Sequence, residues 1–325
     1  MRRRTLIRLA SASAIVGPTT ARAQAYPTKP LTIVAPYSPG GPTDTLSRIL
    51  AEHMQPVLGQ TILIENVTGA GGAQGVTRVA RAAPDGYTIS TGNPGSHITV
   101  WALQPTPFDL AKDLAPVVLF ATNPQILVAR NNLEPATLRD VVAWLKANPG
   151  KATLGGGGLG SVAHFGALYF QQLSGTTLQF VPYRGAAPAM QDLLAGQIDL
   201  MIDQAANCLP HLRAGKIKAY AVAAPDRLAA LPDIPTADEA GLAGFHTSVW
   251  HAMWVPAATP GAIVERLNGA ARQALGNPRL RQQFADLGQD IPPPQRQTTE
   301  ALAAFQKAEI EKWQPLMKLA KQKTD

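Results

Sequence analysis

Short apolar runs of strand length alternate along the chain with longer segments whose apolar residues recur at helical spacing. The first helical segment, residues 43–58, places Leu46 and Leu50 on one apolar stripe. Strand and helix patterns in alternation are typical of a sheet with parallel strands and helices on its faces, so the chain is predicted to be α/β. The predicted strands lie near residues 32–35, 62–64, 87–90, 126–128, 152–154, 180–181, 198–202, 219–223 and 249–255.

The length of the chain, 325 residues, favours two domains over one oversized core. No low-complexity linker is present, so we expect the boundaries where the chain crosses between domains, near residues 122–124 and 224–225. Two crossings predict a discontinuous first lobe, residues 26–123 plus 225–325, with residues 124–224 inserted as the second lobe. A cleft between two such lobes is a common site for a small molecule.

The first 25 residues have the features of a cleaved export signal. Arginines at positions 2–4 precede a short, weakly apolar stretch, and small residues then allow cleavage after Ala23 or Ala25. The paired arginines leave both Sec and twin-arginine export open. Without this segment, which holds five arginines and no acid, the formal charge falls from +7 to +2, so nucleic acid is not an expected partner. We therefore expect a periplasmic protein.

Glycine-rich loops follow several predicted strands, at the edge where ligands bind in open α/β sheets. The first loop, residues 36–44, ends at a helix start, where free backbone N–H groups favour a carboxylate or a phosphate. Loops at residues 69–72 and 92–97 hold the same position after later strands, and residues 155–164 supply a fourth loop from the other lobe. The pattern predicts either four tight turns or one anion site shared across the cleft.

Enzyme and cofactor motifs are incomplete in this sequence. Gly155-x-Gly157-x-x-Gly160 follows a predicted strand but lacks the acidic residue expected about 20 positions later in a dinucleotide site. Neither a Gly-x-Ser-x-Gly elbow nor a Gly-Lys-Ser/Thr phosphate loop occurs. The six histidines and the single cysteine, Cys208, show no metal-ligand spacing. We expect neither a cofactor nor a metal.

Four polar residues near the loops each allow two interpretations. Asp44 either stabilises its own helix start or contacts a ligand, and Asp203 either caps a helix or binds a ligand amine. His164 is either a structural donor or a ligand contact. Arg184 is either solvated or the bidentate partner of a carboxylate.

A series of short motifs extends over nearly the whole chain after residue 25. The series comprises Tyr26-Pro27-x-Lys29-Pro30, Pro36-Tyr37-x-x-Gly40-Gly41-x-x-Asp44, Asn66-x-x-Gly69-Ala70-Gly71-Gly72, Pro84-Asp85-Gly86-Tyr87-Thr88, Ala147-Asn148-Pro149-Gly150-Lys151, Gly160-Ser161-x-x-His164, Pro182-Tyr183-Arg184-Gly185 and Gly215-Lys216-Ile217-Lys218-Ala219. In this order, the motifs resemble those of the periplasmic substrate-binding proteins of tripartite tricarboxylate transporters, also called Bug-type receptors. The series is specific, whereas any one motif alone is not.

The resemblance implies a type II periplasmic-binding-protein fold, with two α/β lobes and a ligand cleft between them. It implies a monomeric solute receptor without catalysis or cofactor, which binds a dicarboxylate, tricarboxylate, acidic amino acid or aromatic acid. Membrane permease subunits of the transporter are the implied partner. The expected ligand-site residues are Tyr37, Ser38, Gly40, Gly41, Thr43, Asp44, Ala70, Asn93, Ser96, Gly157, Ser161, His164, Arg184 and Asp203.

Two features depart from the family pattern. Gly156 stands where a serine is common, which removes an expected hydroxyl contact, and His97 with Trp101 is expected to shape a broader or aromatic pocket. Two further functions stay open, a ligand-sensing partner of a membrane sensor kinase and a hydrolase that uses Ser161 and His164. The hydrolase is disfavoured because both residues sit in one helical turn with no evident orienting acid.

Overall fold

The computed structural model describes residues 26–103 and 105–322, and the predicted export signal at residues 1–25 lies outside the described residues. The strands are β1 (Leu31–Ala35), β2 (Ile62–Asn66), β3 (Thr88–Gly92), β4 (Leu114–Arg130), β5 (Thr153–Gly156), β6 (Gln179–Pro182), β7 (Leu200–Gln204), β8 (Ile217–Val222) and β9 (Ser248–Pro256). The helices are α1 (Pro42–Leu58), α2 (Ala73–Ala80), α3 (Val100–Leu103), α4 (Leu110–Asp113), α5 (Leu138–Ala147), α6 (Val162–Ser174), α7 (Ala186–Leu194), α8 (Ala205–Arg213), α9 (Gly261–Leu275), α10 (Pro278–Asp286) and α11 (Thr299–Gln322).

The strands form two mixed sheets that share β4. In the first sheet the order is β2-β1-β3-β9-β4, where β1 is parallel to β2 and β3, and β9 is antiparallel to β3 and β4. In the second sheet β5 is parallel to β6 and β7, while β4 runs antiparallel to β7 and β8. Each sheet therefore contains the predicted parallel strands, and antiparallel strands are added where the chain passes between the sheets.

Strand β4 passes from one sheet to the other along its length. Its residues 114–124 pair with β9, and its residues 125–130 pair with β7 and β8. The chain returns directly beside this crossing, because Gln125 N donates to Thr247 O at 3.0 Å and Thr247 N donates to Ala223 O at 2.9 Å. Two adjacent extended segments thus connect the sheets, an arrangement suited to a hinge.

Each sheet packs against its own hydrophobic cores, and the cores of the second sheet indicate where the second boundary between the lobes lies. Leu228 packs in a core under the second sheet, and Leu242 and Phe245 pack in the other core of that sheet with Phe170. The segment after Pro225 is therefore continuous with the second lobe. On this basis we propose a second boundary at Thr247 rather than at residues 224–225.

Local signals account for where the helices begin and end. Helix α1 ends before Gly59, whose φ of +70° is the left-handed conformation that favours glycine. Helix α5 has a capping box, in which Thr137 and Asp140 each accept the other's backbone N–H. At α6 the Ser161 hydroxyl accepts the N–H of His164 at 3.2 Å.

Candidate functional site

A small cavity lies between the two lobes. Four helices begin at its wall, α1 from the first lobe and α6, α7 and α8 from the second. The cavity thus lies at the strand-to-helix loops. The lining residues are Tyr37, Gly41, Pro42, Thr43, Asn93, Gly157, Ser161, Val162, Ala163, Ala186, Asp203 and Gln204.

Backbone N–H groups at these helix starts have no acceptor inside their own helices. In the described structure, the N-cap residues of α1, α7 and α8, which are Gly41, Gly185 and Gln204, form no side-chain cap hydrogen bond. The positive ends of the helix dipoles add to these donors, so a negative group is stabilised where the helices converge. None of the described lining residues is Lys, Arg or His, so the favourable potential comes from the backbone.

The first-lobe wall is held by a chain of buried side chains. The Tyr37 hydroxyl donates to Asn93 Oδ1 at 3.2 Å, and Asn93 Nδ2 donates to Thr43 Oγ1 at 3.5 Å. Behind them, His251 Nε2 lies 3.3 Å from Thr43 Oγ1. Burial raises the pKa of Tyr37 and lowers the pKa of His251 to about 3, so both are neutral at physiological pH. The network fixes the orientation of the polar groups that face the cavity.

Asp44 supports the first loop and is not among the residues that line the cavity. Its carboxylate accepts the N–H of Gly40 at 2.9 Å, the Nδ2 of Asn66 at 2.9 Å and the guanidinium of Arg48 at 2.8 Å. Burial opposes the charge of Asp44, but the hydrogen bonds from Arg48, Gly40 and Asn66 together outweigh it and lower the pKa of this carboxyl. The structure therefore favours the helix-start interpretation of Asp44.

Ser96 and His97 lie within the first-lobe core. The Ser96 hydroxyl pairs with His97 Nδ1 at 2.9 Å, and His97 Nε2 pairs with Ser90 Oγ at 3.0 Å. The His97 ring stacks on Trp254 with the ring centroids 3.8 Å apart, and burial lowers its pKa to about 3. Trp101 packs against the same core. Neither His97 nor Trp101 is among the residues that line the cavity, and their expected influence on the shape of the pocket stays a prediction.

On the second-lobe wall, Gly157 and Ser161 line the cavity but His164 does not. His164 Nδ1 accepts the N–H of Gly160 at 3.2 Å, and its ring lies on Phe180 with a centroid distance of 4.7 Å. Burial lowers the pKa of His164. The Ser161 hydroxyl accepts a backbone N–H rather than pairing with the imidazole, so these two residues do not form the nucleophile and base of a hydrolase.

Asp203 and Gln204 form the polar floor of the cavity, where β7 meets α8. Asp203 is 3% exposed, and its oxygens accept from Gln204 N at 2.8 Å and from Asn207 Nδ2 at 2.5 Å. Burial raises the pKa of Asp203 to about 6, against the opposing effect of those two hydrogen bonds. Gln204 is 4% exposed, and within the described chain its Oε1 has no hydrogen-bond partner.

The lobes touch each other at the mouth of the cavity. Ser38 N donates to Arg184 O at 3.3 Å, and Tyr37, Ser38, Ala70 and Arg184 line this outer groove. The Ser38 hydroxyl is buried, and among the described residues it has no partner, whereas the Arg184 side chain is exposed. A second contact joins the lobes where Thr99 Oγ1 donates to Gly160 O. The structure therefore has its lobes closed on each other.

Several lining residues were not singled out from the sequence. Val162, Ala163 and Ala186 line the cavity at the first turns of α6 and α7 and bring no side-chain chemistry, and Gln204 follows the predicted Asp203. Their common signal is position, since each stands at the end of a strand or in the first turn of a helix. A search for polar side chains does not find Val162, Ala163 and Ala186, whose polar groups are those of the backbone.

Neither a candidate membrane span nor a candidate metal-binding cluster is found among the residues that the structure describes. In residues 26–103 and 105–322, no helix is both long enough and apolar enough to cross a bilayer. In the same ranges, no three His, Cys, Asp or Glu side chains are grouped so that they could hold a metal ion.

Two α/β lobes, two adjacent segments that connect them and a cavity between the lobes are typical of solute-binding receptors. The family model described as "Tripartite tricarboxylate transporter family receptor" matches residues 46–321. The chain belongs to this family, and the resemblance drawn from its motifs is confirmed.

Solved structures of similar proteins agree with this assignment. MatC from Rhodopseudomonas palustris, with bound malate, is 39% identical with a TM-score of 0.87, covering 90% of this chain and 100% of that one. The periplasmic binding protein BugD is 38% identical with a TM-score of 0.87, covering 91% and 98%. A further R. palustris protein, solved with adipate, is 31% identical with a TM-score of 0.86, covering 91% and 98%. The predicted two-lobed fold is confirmed, and the chain is a receptor rather than an enzyme.

Proposed function

We propose that this chain is a periplasmic receptor that binds a small organic carboxylate and delivers it to the membrane subunits of a tripartite tricarboxylate transporter. The main support is the convergence of four helix starts on one cavity whose described lining residues include no basic side chain. Uncapped backbone N–H groups at helix starts are suited to an anion, and helix dipoles add to their effect.

The ligand contacts follow from this arrangement. In our proposal, amides at the start of α1, near Gly41 and Thr43, hold one carboxylate beside Tyr37 and Asn93. The starts of α6 and α7 then face the same ligand from the second lobe, with Gly157 leaving room for close approach. Ser38, Ala70 and Arg184 stand at the mouth, where they contact the ligand or cover it. Gly40, Asp44, Ser96 and His164 act in our proposal as supports of these loops.

The ligands of similar proteins favour a small acid. Malate and adipate occupy the structures of two similar proteins. Acidic amino acids and compact aromatic acids stay within the same proposal.

A thermal-shift screen tests the ligand class, because a ligand that binds only the folded state raises the melting temperature. Each acid is paired with its neutral amide, for example succinate with succinamide and benzoate with benzamide. We expect at least one acid to raise the melting temperature while its amide does not. Equal responses to an acid and its amide, or no response to any acid, would contradict the proposal.

Gly41→Val tests the first-lobe loop. A Cβ on Gly41 would lie 3.4 Å from Ser38 O and 3.9 Å from Ala187 N. The φ of Gly41 is −76°, a backbone conformation that valine adopts without strain. The variant should therefore fold, while its branched side chain fills the space between the lobes and abolishes binding. The matched control is Gly261→Val, because a Cβ on Gly261 meets no atom within 4 Å. Unchanged affinity in Gly41→Val would exclude this loop as the carboxylate site.

Export and delivery need tests of their own. Intact-mass analysis of protein from the periplasmic fraction should show a chain that begins after Ala23 or Ala25. The same protein should behave as a monomer under native conditions. Membrane vesicles that contain the permease subunits should take up the bound acid only when purified receptor is added. Uptake without receptor would argue against delivery while leaving binding intact.

A further inference from the structure

The cavity contains an acidic side chain at a place where an anion is proposed to bind. Asp203 lies in the wall formed by helix starts, and no other described lining residue is acidic or basic. Its burial, with 3% of the residue exposed, means that solvent does little to offset its charge. A second carboxylate placed beside it would be repelled unless some group lies between them.

The hydrogen bonds of Asp203 leave part of its acceptor capacity unused. A carboxylate offers about four acceptor positions, and the described contacts use two of them, from Gln204 N and Asn207 Nδ2. No described Lys, Arg or His pairs with Asp203, and the neighbouring titratable group is the buried thiol of Cys208. Asp203 therefore has acceptor positions left and no positive charge to balance it.

Gln204 adds a second unused acceptor next to the first. Gln204 lines the same cavity, and its Oε1 is buried and has no partner among the described residues. A buried acceptor without a donor is costly, so both groups favour a ligand that brings a donor to this wall. Helix starts on the other walls supply donors for a carboxylate, so the two kinds of site are separated within one cavity.

We propose that Asp203 and Gln204 form an acceptor site that selects carboxylates carrying a hydroxyl or ammonium group over the same acids without one. This inference rests on the proposed function and specifies the class of ligand. The donor group of the ligand fills the unused acceptor positions and separates Asp203 from the ligand carboxylate. An unsubstituted acid leaves both acceptors unpaired. At pH 7 most Asp203 side chains are ionised, because the raised pKa of about 6 still lies below that pH.

Calorimetry with the purified receptor at pH 7.5 and matched acids tests the proposal. The sets are succinate, malate and aspartate; glutarate, 2-hydroxyglutarate and glutamate; tricarballylate and citrate; and 3-phenylpropanoate, phenyllactate and phenylalanine. In any set that binds, we expect the substituted acid to bind at least about tenfold more tightly, equivalent to about 1.4 kcal/mol. The hydroxy and amino members show which donor the site takes.

Asp203→Asn should reduce this selectivity, because the amide is neutral and can donate to a carboxylate. We expect unsubstituted acids to bind more tightly to the variant than to the wild type, and the selectivity ratio to fall at least about fivefold. Asp192→Asn is the matched control, since that carboxylate accepts from the Tyr183 hydroxyl in the same lobe and does not line the cavity. The control should retain the wild-type ratio.

The outcomes separate this inference from the proposed function. If no acid of any set binds, the proposed function fails, and the inference fails with it. If acids bind but substituted and unsubstituted members differ by less than about threefold in the wild type, the function stands and the inference is overturned. That wild-type comparison decides the matter even if Asp203→Asn does not fold. A folded Asp203→Asn that keeps the full selectivity also overturns the inference.

Discussion

Replacing Gly185 with alanine tests whether the lobes must close on each other to hold a ligand. Gly185 precedes α7 and has an extended backbone, with φ of 161° and ψ of 176°, so alanine introduces no backbone strain. A Cβ at this position lies 3.0 Å from Ser38 N in the other lobe and still closer to Ser38 Oγ. The hydroxyl can rotate away, but the backbone nitrogen donates to Arg184 O and cannot.

The added methyl group therefore overpacks the closed form and leaves an open form unaffected. Overpacking of a tight contact costs about 1–3 kcal/mol, so affinity should fall about 5- to 150-fold if binding requires closure. The unfolding free energy without ligand should change by less than about 0.5 kcal/mol, because opening relieves the contact. Calorimetry with an acid from the thermal-shift screen measures affinity, and small-angle scattering with and without that acid measures compaction.

Two further variants isolate the cause. Gly269→Ala makes the same chemical change in α9, where a Cβ meets no atom within 4 Å, and should leave affinity unchanged while adding about 0.5–1 kcal/mol of stability. Ser38→Ala removes the hydroxyl that faces Gly185, so the double variant should recover part of the affinity lost by Gly185→Ala. Wild-type affinity and compaction in Gly185→Ala would refute the closure model.

Three other predictions concern stability. Ser161→Ala removes the cap of α6 and should lower the unfolding free energy by about 1 kcal/mol in urea titrations. If stability is unchanged but ligand binding is weakened, the Ser161 hydroxyl is instead a ligand contact. Asp44→Asn should lower the unfolding free energy by about 1–3 kcal/mol in the same urea titration. An unfolding midpoint equal to that of the wild type would contradict the structural role of Asp44. His97 and His251 have pKa values of about 3, below the ordinary 6.5, so the unfolded chain takes up protons first as pH falls. Each neutral histidine contributes to the unfolding free energy above pH 6.5, and this contribution should fall by about 2 kcal/mol at pH 5. An unfolding free energy that stays constant between pH 7 and 5 would disprove this prediction.

The order of strands and helices could be predicted from the sequence, because burial of one face imposes a visible period on each element. The first half of β4 was missed, since Pro116 and Pro124 interrupt the apolar run and proline usually ends a strand. Here Pro116 stands at a register shift and Pro124 at the crossing between sheets. The irregular segment after Pro225 has no period, so its sequence does not indicate which core it joins.

The position of the candidate site was easier to predict than its side chains. Glycine loops at strand ends mark where helix starts meet, and that signal is local. Whether a side chain faces the cavity depends on which hydrogen bonds it already makes. Ser96 bonds to His97 and to the backbone of Asn93, while Asp203 retains unused acceptor positions beside the cavity. Spacing alone does not distinguish these two cases.

The same hydrogen-bond arrangement precedes one helix in each lobe: a side chain of the first turn accepts the N–H of a glycine that lies before the helix. Gly40 and Gly160, with φ of +79° and +80°, stand one residue before the N-cap positions of α1 and α6. Asp44 and His164, four residues later, each accept the N–H of that glycine. This contact is related to the capping box but engages an amide outside the helix, so it uses none of the first-turn amides, of which the Ser161 hydroxyl accepts the one at His164 in α6. Two polar residues that resemble ligand contacts in sequence, Asp44 and His164, thus hold the loops, and in our proposal the anion site is built from the amides between them.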